Sequence, residues 1–202
     1  MSKLFVSADF HLGDTRFQLM DRPFASQQEM VDHLVNNHNK LVQPNDLVYM
    51  LGDVCYIKTP EFLPQIKRFN GRKILIRGNH DRDISDKDFL DYFEEVIPEG
   101  EGLEIDINGL PCYMTHYPTC GVKDRFNLVG HIHAAWRYQL NMLNVGIDVH
   151  HFSPIPFESI NFFYNAICNY FDKDVWVADN EINAEYKDIR GKKTTYFSKE
   201  LK

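Results

Sequence analysis

Three short apolar runs, Leu4 to Asp9, Leu47 to Asp53 and Lys73 to Arg77, limit the fold of this chain more than any other feature. Each reads as a buried strand, and each hands over to residues of ligand or acid-base type: Asp9 and His11, then Asp53, then Asn79, His80 and Asp81. Two stretches with helical signals lie between them. Ser26 to Val42 places Met30, Leu34 and Leu41 near helical spacing before Pro44 stops it, and Pro60 to Phe69 reads as a short helix with Pro60 in its first turn and Pro64 inside it. Strand, helix, strand, helix, strand in this order implies parallel pairing through crossover helices. Ligands collect at the carboxyl ends of strands in such a sheet, so the polar ends of the apolar runs stand where a site forms.

The second half has a different pattern. Leu103 to Ile107 alternates with period two, Asn108-Gly109 is a hairpin turn signal, and Pro111 to Thr115 resumes as a strand. Phe126 to Val129 and Leu143 to Ile147 are further candidate strands. Phe157 to Ile167 suggests an amphipathic helix on Phe157, Ile160, Tyr164 and Ile167, and one more strand fits Val175 to Ala178 in the mixed-charge segment after Asp172. No repeat, low-complexity tract or Gly/Ser linker marks a boundary, so the expectation is a single domain over residues 1–202. The architecture that fits is an α/β fold of two mixed sheets packed together with helices outside.

Composition removes several function classes. A chain that is 44% hydrophobic and 25% charged is globular, and a net charge of −7 argues against a partner that is long nucleic acid. The N-terminal apolar run is far shorter than a membrane span, which excludes a membrane partner at this level. Cys55, Cys112, Cys120 and Cys168 form no CxxC pair and no metal spacing, consistent with reduced thiols and a cytoplasmic location. An aromatic content of 13% leaves apolar surface that a homodimer could bury.

Five short motifs carry the chemistry: Asp9-Phe10-His11, Gly52-Asp53, Gly78-Asn79-His80-Asp81, His116, and Gly130-His131-Ile132-His133. Taken singly, Asp9 reads as a turn former, Asn79 as a turn residue and His116 as a packed loop histidine. Their joint occurrence at strand ends outweighs those readings. Carboxylate, imidazole and amide oxygen together suit Mn, Fe, Zn or Ni better than calcium or an all-thiolate zinc site. Two ions held about 3.5 to 4 Å apart, sharing a carboxylate and activating a water, would stabilise both ends of a displacement at phosphorus.

In this order the motifs resemble the calcineurin-like metallophosphoesterase superfamily. Arg22-Pro23-Phe24, Asn70-Gly71-Arg72-Lys73 and Asn144-Val145-Gly146-Ile147-Asp148 are similar to its small bacterial and phage branch of predicted phosphoesterases. The resemblance implies a four-layer αββα sandwich. It also implies one metal on Asp9, His11, Asp53 and His133 and a second on Asp53, Asn79, His116 and His131, with Asp53 bridging. Manganese comes first as the ion, with Fe, Zn or Ni as alternatives. His80 would lie beside the metals and stabilise the transition state or protonate the leaving oxygen, with Asp81 orienting it.

Function then reads as a dinuclear phosphohydrolase using a bridging hydroxide on a small phosphodiester or phosphomonoester, a nucleotide among them. The alternatives are a nuclease on nucleic-acid ends and a non-catalytic interaction module of the same fold. Candidate substrate contacts are Arg16, Arg22, Asn79, His80 and Tyr117, with Tyr56 and His150 as further pocket candidates. His33 and His38 do not share a helix face and are expected on the surface.

Overall fold

The computed structural model describes residues 2–139 and 141–168 and two short paired strands, Tyr186–Lys187 and Lys193–Thr194. The expected strand at Val175 to Ala178 lies outside the described residues. In chain order the elements are β1 (Leu4–Ser7), α1 (Gln27–Leu41), β2 (Leu47–Met50), β3 (Arg72–Ile76), α2 (Asp86–Phe89), β4 (Glu95–Ile97) and β5 (Gly102–Ile107). After these come β6 (Leu110–Thr115), β7 (Phe126–Val129), β8 (Tyr138–Gln139), β9 (Met142–Asn144), β10 (Ile155–Pro156) and α3 (Ile160–Ala166).

They build two mixed sheets flanked by helices. The first has the order β10-β1-β2-β3-β4, parallel throughout except for the antiparallel edge strand β10, as the crossover pattern requires. The second has the order β5-β6-β7-β9-β8, with β6, β7 and β9 parallel and an antiparallel strand at each edge. Asn108 at φ 54° and Gly109 at φ 85° make the β5-β6 hairpin, both in the left-handed region that a two-residue turn of this kind demands.

Period-two alternation sorts the side chains of the first sheet onto its two faces. Phe5, Val48, Met50 and Leu75 pack against Met30 and Leu34 of α1 and against Leu63, Ile66 and Phe69. Val6, Ala8, Tyr49, Leu51 and Ile76 point the other way, onto Cys112, Met114, Phe126, Leu128 and Leu143 of the second sheet, and Ile160 and Ile167 join that layer. Ser26 caps α1 by accepting the Glu29 N–H, a contact that stabilises a helix start by about 1 kcal/mol. No described helix is long and apolar enough to cross a membrane.

Four expectations change in detail. Pro60–Arg68 is a 3-10 helix, because Pro64 has no N–H for an α-helical bond. The helix expected from Phe157 opens as a 3-10 turn over Phe157–Ser159 before α3. The strand expected from Leu143 to Ile147 stops at Asn144, and Ile147–Val149 is a 3-10 turn. His38 is buried, packed edge-on against Phe69 with Nε2 bonded to the Asn70 carbonyl at 2.9 Å, while His33 is exposed as expected.

Candidate metal centre

The polar strand ends of both sheets meet along one seam. Ala8 pairs with Gly146 and Leu12 with Cys55 in isolated parallel bridges, the Asp9 N–H donates to the Gly52 carbonyl at 3.0 Å, and the His11 N–H donates to the Asp53 carbonyl at 2.8 Å. Within this seam Asp9, His11, Asp53, His131 and His133 have φ of 64°, 50°, 53°, 76° and 48°. Asp and His are among the few side chains that tolerate this region, and each such residue stores on the order of 1 kcal/mol or more. The strain sits on the motif residues themselves. Gly52, at φ 81°, leaves no room for a side chain: a Cβ would fall 2.5 Å from the Gly78 nitrogen and 2.6 Å from His116 Nδ1.

The motif side chains converge in overlapping groups. Asp9, His11 and His133 form one, Asp53, His116 and His131 a second, and His11, Asp53 and His80 a third, with the ligand-type atoms of each group within 4.8 Å of one another. Asp53 stands between them, its Oδ2 lying 3.4 Å from His11 Nε2 and 3.5 Å from His116 Nε2. His116 donates from Nδ1 to the Leu51 carbonyl at 2.7 Å, which leaves Nε2 with its lone pair facing Asp53. His133 Nδ1 is bonded to Asp148 Oδ2 at 2.8 Å, a carboxylate-histidine arrangement that fixes the orientation of the ring.

A divalent cation fits this donor set. Both ring nitrogens of His11, Nε2 of His116 and Oδ1 of Asn79 are buried with no hydrogen-bond partner among the described residues, a costly state for polar atoms unless something else binds them. Burial pushes the Asp9 carboxyl well above its usual range, with the Asp53 and Asp148 charges adding to it, and burial raises Asp53 as well. Burial also lowers His11 far below its ordinary value and His116 to about 4, so the imidazoles are neutral, as ligands must be. Crowded carboxylates and neutral imidazoles around one space favour positive charge in it.

Residues 2–190 match the family model of the calcineurin-like phosphoesterases. This chain belongs to that family. It is 26% identical over 173 residues to an uncharacterised protein of Methanocaldococcus jannaschii, covering 79% of this chain and 90% of the relative. A crystal structure of a protein of unknown function from Aquifex aeolicus superposes with a TM-score of 0.62 at 22% identity, covering 81% of this chain and all of the other. The crystal structure of Pseudomonas putida nuclease MPE superposes with a TM-score of 0.45 at 23% identity, over 64% of this chain and 61% of the nuclease. Members of the family typically bind divalent metals and act on phosphate esters, which agrees with the donor set of this phosphoesterase-family chain.

Around the centre, several expected roles change. Asp81 does not orient His80. It is fully buried and its oxygens accept the backbone N–H groups of Asp53 at 2.7 Å, Val54 at 3.1 Å and Gly78 at 2.9 Å, while His80 Nδ1 has no partner among the described residues. Asp81 therefore ties the Asp53 turn to the His80 turn, and burial, followed by the Asp53 charge, pushes its carboxyl up to about 7. The His80 N–H completes the tie by donating to Asp53 Oδ1 at 2.8 Å.

Arg22 is not exposed to substrate either. Its guanidinium is buried, bidentate to Asp148 at 2.7 and 3.1 Å, and donates to the carbonyls of Asp9 at 2.5 Å and Phe10 at 2.9 Å. Arg16 remains at the surface, paired with Asp14 and lying 4.5 Å over the Tyr56 ring, which itself lies 5.3 Å from the His80 ring. Tyr117 packs against His116 and His131 and donates to Glu99 at 2.5 Å, and Glu99 is held in turn by Arg82. His150 bonds the Asn144 carbonyl from Nε2 and acts as a scaffold. No sequence signal assigns a role to Asp148 or to Asn144, whose amide clamps the His133 and Trp136 carbonyls at 2.7 Å.

Proposed function

We propose that this chain is a dinuclear metal-dependent phosphohydrolase acting on a small phosphodiester or phosphomonoester, nucleotides included. The observation that carries the reading is the Asp53 carboxylate standing 3.4 and 3.5 Å from the Nε2 atoms of His11 and His116, which have no hydrogen-bond partner among the described residues. Asp9, His11, Asp53 and His133 would hold one ion, and Asp53, Asn79, His116 and His131 the other. When bound, such ions neutralise charge on the phosphoryl oxygens and acidify a water. Manganese fits first, with Fe, Zn or Ni accepted by the same donors.

The chain's own groups supply the rest. His133 and His116 are fixed in tautomer by Asp148 and Leu51, so their free nitrogens need no reorientation to bind. His80, half-buried and 4.8 Å from the His11 ring, stabilises the transition state or gives its proton to the leaving oxygen, and Asp81 holds its turn against Asp53. Arg16 over Tyr56, next to His80, offers an exposed cation and a ring face for the part of the substrate beyond the phosphate.

The test is a panel containing a generic aryl diester, an aryl monoester, nucleotides and duplex DNA ends, assayed with Mn, Ni and Zn. Hydrolysis of a small ester with at least one metal is the expected result. Turnover of DNA ends alone would make the chain a nuclease, and inactivity throughout would favour a non-catalytic member of the fold.

A further inference from the structure

Two imidazoles of the centre have their outward nitrogen held, His116 by the Leu51 carbonyl and His133 by Asp148. His11 differs. Its Nε2 faces Asp53, whereas its Nδ1 has no hydrogen bond among the described residues and lies 3.9 Å from Asp14 Oδ2. Asp14 belongs to none of the five motifs, yet its carboxylate is completely buried.

Asp14 is also held on every side. Its N–H donates to the His11 carbonyl at 3.0 Å, its carbonyl accepts from Gln27 Nε2, and the same Gln27 amide accepts the Gly13 N–H at 2.9 Å. The carboxylate is gripped by Arg16 through Nε and the backbone N–H, each 2.9 Å from Oδ1, and through Nη2, 2.6 Å from Oδ2. The arrangement parallels the other side of the centre, where Arg22 holds Asp148 and Asp148 holds His133.

We propose that Asp14 is the positioning residue of His11: it accepts the Nδ1 proton and so presents the Nε2 lone pair to the metal, with Arg16 anchoring it from the surface. The proposal rests on the two-metal reading. Closing the 3.9 Å separation to an ordinary hydrogen bond of about 2.9 Å needs a movement of about 1 Å, within the reach of a ring rotation when an ion engages Nε2. A carboxylate on Nδ1 both fixes the tautomer and raises the basicity of Nε2.

The test is a calorimetric Mn titration of the wild type, Asp14→Asn and Asp14→Ala, beside thermal unfolding of each metal-free protein. Two ions bind the wild type; Asp14→Ala weakens one of them roughly 10- to 100-fold and leaves the other within about twofold, and Asp14→Asn, which keeps an acceptor oxygen, recovers part of the loss. A merely structural Asp14 would lower the metal-free melting temperature and weaken both ions alike. Should Asp14→Ala not fold, the imidazole nitrogen resonances of the metal-loaded wild type decide: His11 protonated on Nδ1 supports the proposal, and on Nε2 overturns it. Absence of Mn binding to the wild type removes the two-metal reading and this proposal together. Two ions bound with unchanged affinity by Asp14→Ala removes the proposal alone.

Discussion

The Asp81 carboxylate accepts the Asp53 N–H at 2.7 Å and, through the same oxygen, the Gly78 N–H at 2.9 Å, binding the turns after β2 and β3 into one unit. Replacing Asp81 with Ala leaves these amides and that of Val54 buried and unpaired. The metal-free protein is expected to lose at least about 2 kcal/mol in urea unfolding, with metal binding impaired because Asp53 loses its support. His80→Ala should leave both properties nearly unchanged. Equal behaviour of the two variants would argue against this division of roles.

Arg22 should matter for stability. Arg22→Ala strands the buried Asp148 charge and frees the carbonyls of Asp9 and Phe10, an expected loss of about 3–5 kcal/mol by denaturant unfolding of the metal-free protein. Arg22→Lys recovers little, since an ammonium cannot reproduce the bidentate contact. A stable Arg22→Ala with a raised KM would instead place this side chain on substrate.

His133 depends on Asp148. Removing the carboxylate with Asp148→Asn is expected to weaken metal affinity roughly 10- to 100-fold, read by competition with a chelator. Unchanged affinity would show that His133 keeps its orientation without help.

Acid stability carries a signature of His38. Burial lowers its pKa to about 4 against an ordinary 6.5, so the folded state binds fewer protons than the unfolded chain between those values. The stability due to this difference is fully present above about pH 6.5 and is lost as pH falls toward 4, by roughly 3 kcal/mol at most. His116 and His150 are shifted in the same direction, so the informative quantity is the difference from His38→Gln, which can still donate to the Asn70 carbonyl. Unfolding of the two proteins from pH 7 to pH 4 should show a shallower decline in the variant.

The strand ends were legible because buried parallel strands are continuous apolar runs, and Asp9, Asp53 and Asn79 follow them directly. Likewise Asn108-Gly109 announced its hairpin by chemistry that few other pairs share. The supports of the site were hidden for physical reasons. Arg22 and Asp148 are 126 positions apart and meet only through the packing of two sheets. Asp81 acts on backbone amides, which leave no trace in side-chain patterns. His38 sits in an amphipathic helix where a polar residue reads as surface, yet its ring packs edge-on against Phe69 with Nε2 held by the Asn70 carbonyl. The strands β4, β8 and β10 have too few residues for alternation to show.

The most direct test of the account is the initial rate of small-diester hydrolysis by Mn-loaded wild type, His80→Ala and Asp53→Asn, with bound metal quantified in each. The account predicts a metal-dependent rate in the wild type. It predicts a loss of at least about 100-fold in His80→Ala with its metal retained, and loss of both rate and metal in Asp53→Asn. Full activity in Asp53→Asn, or hydrolysis that survives a chelator, would contradict it.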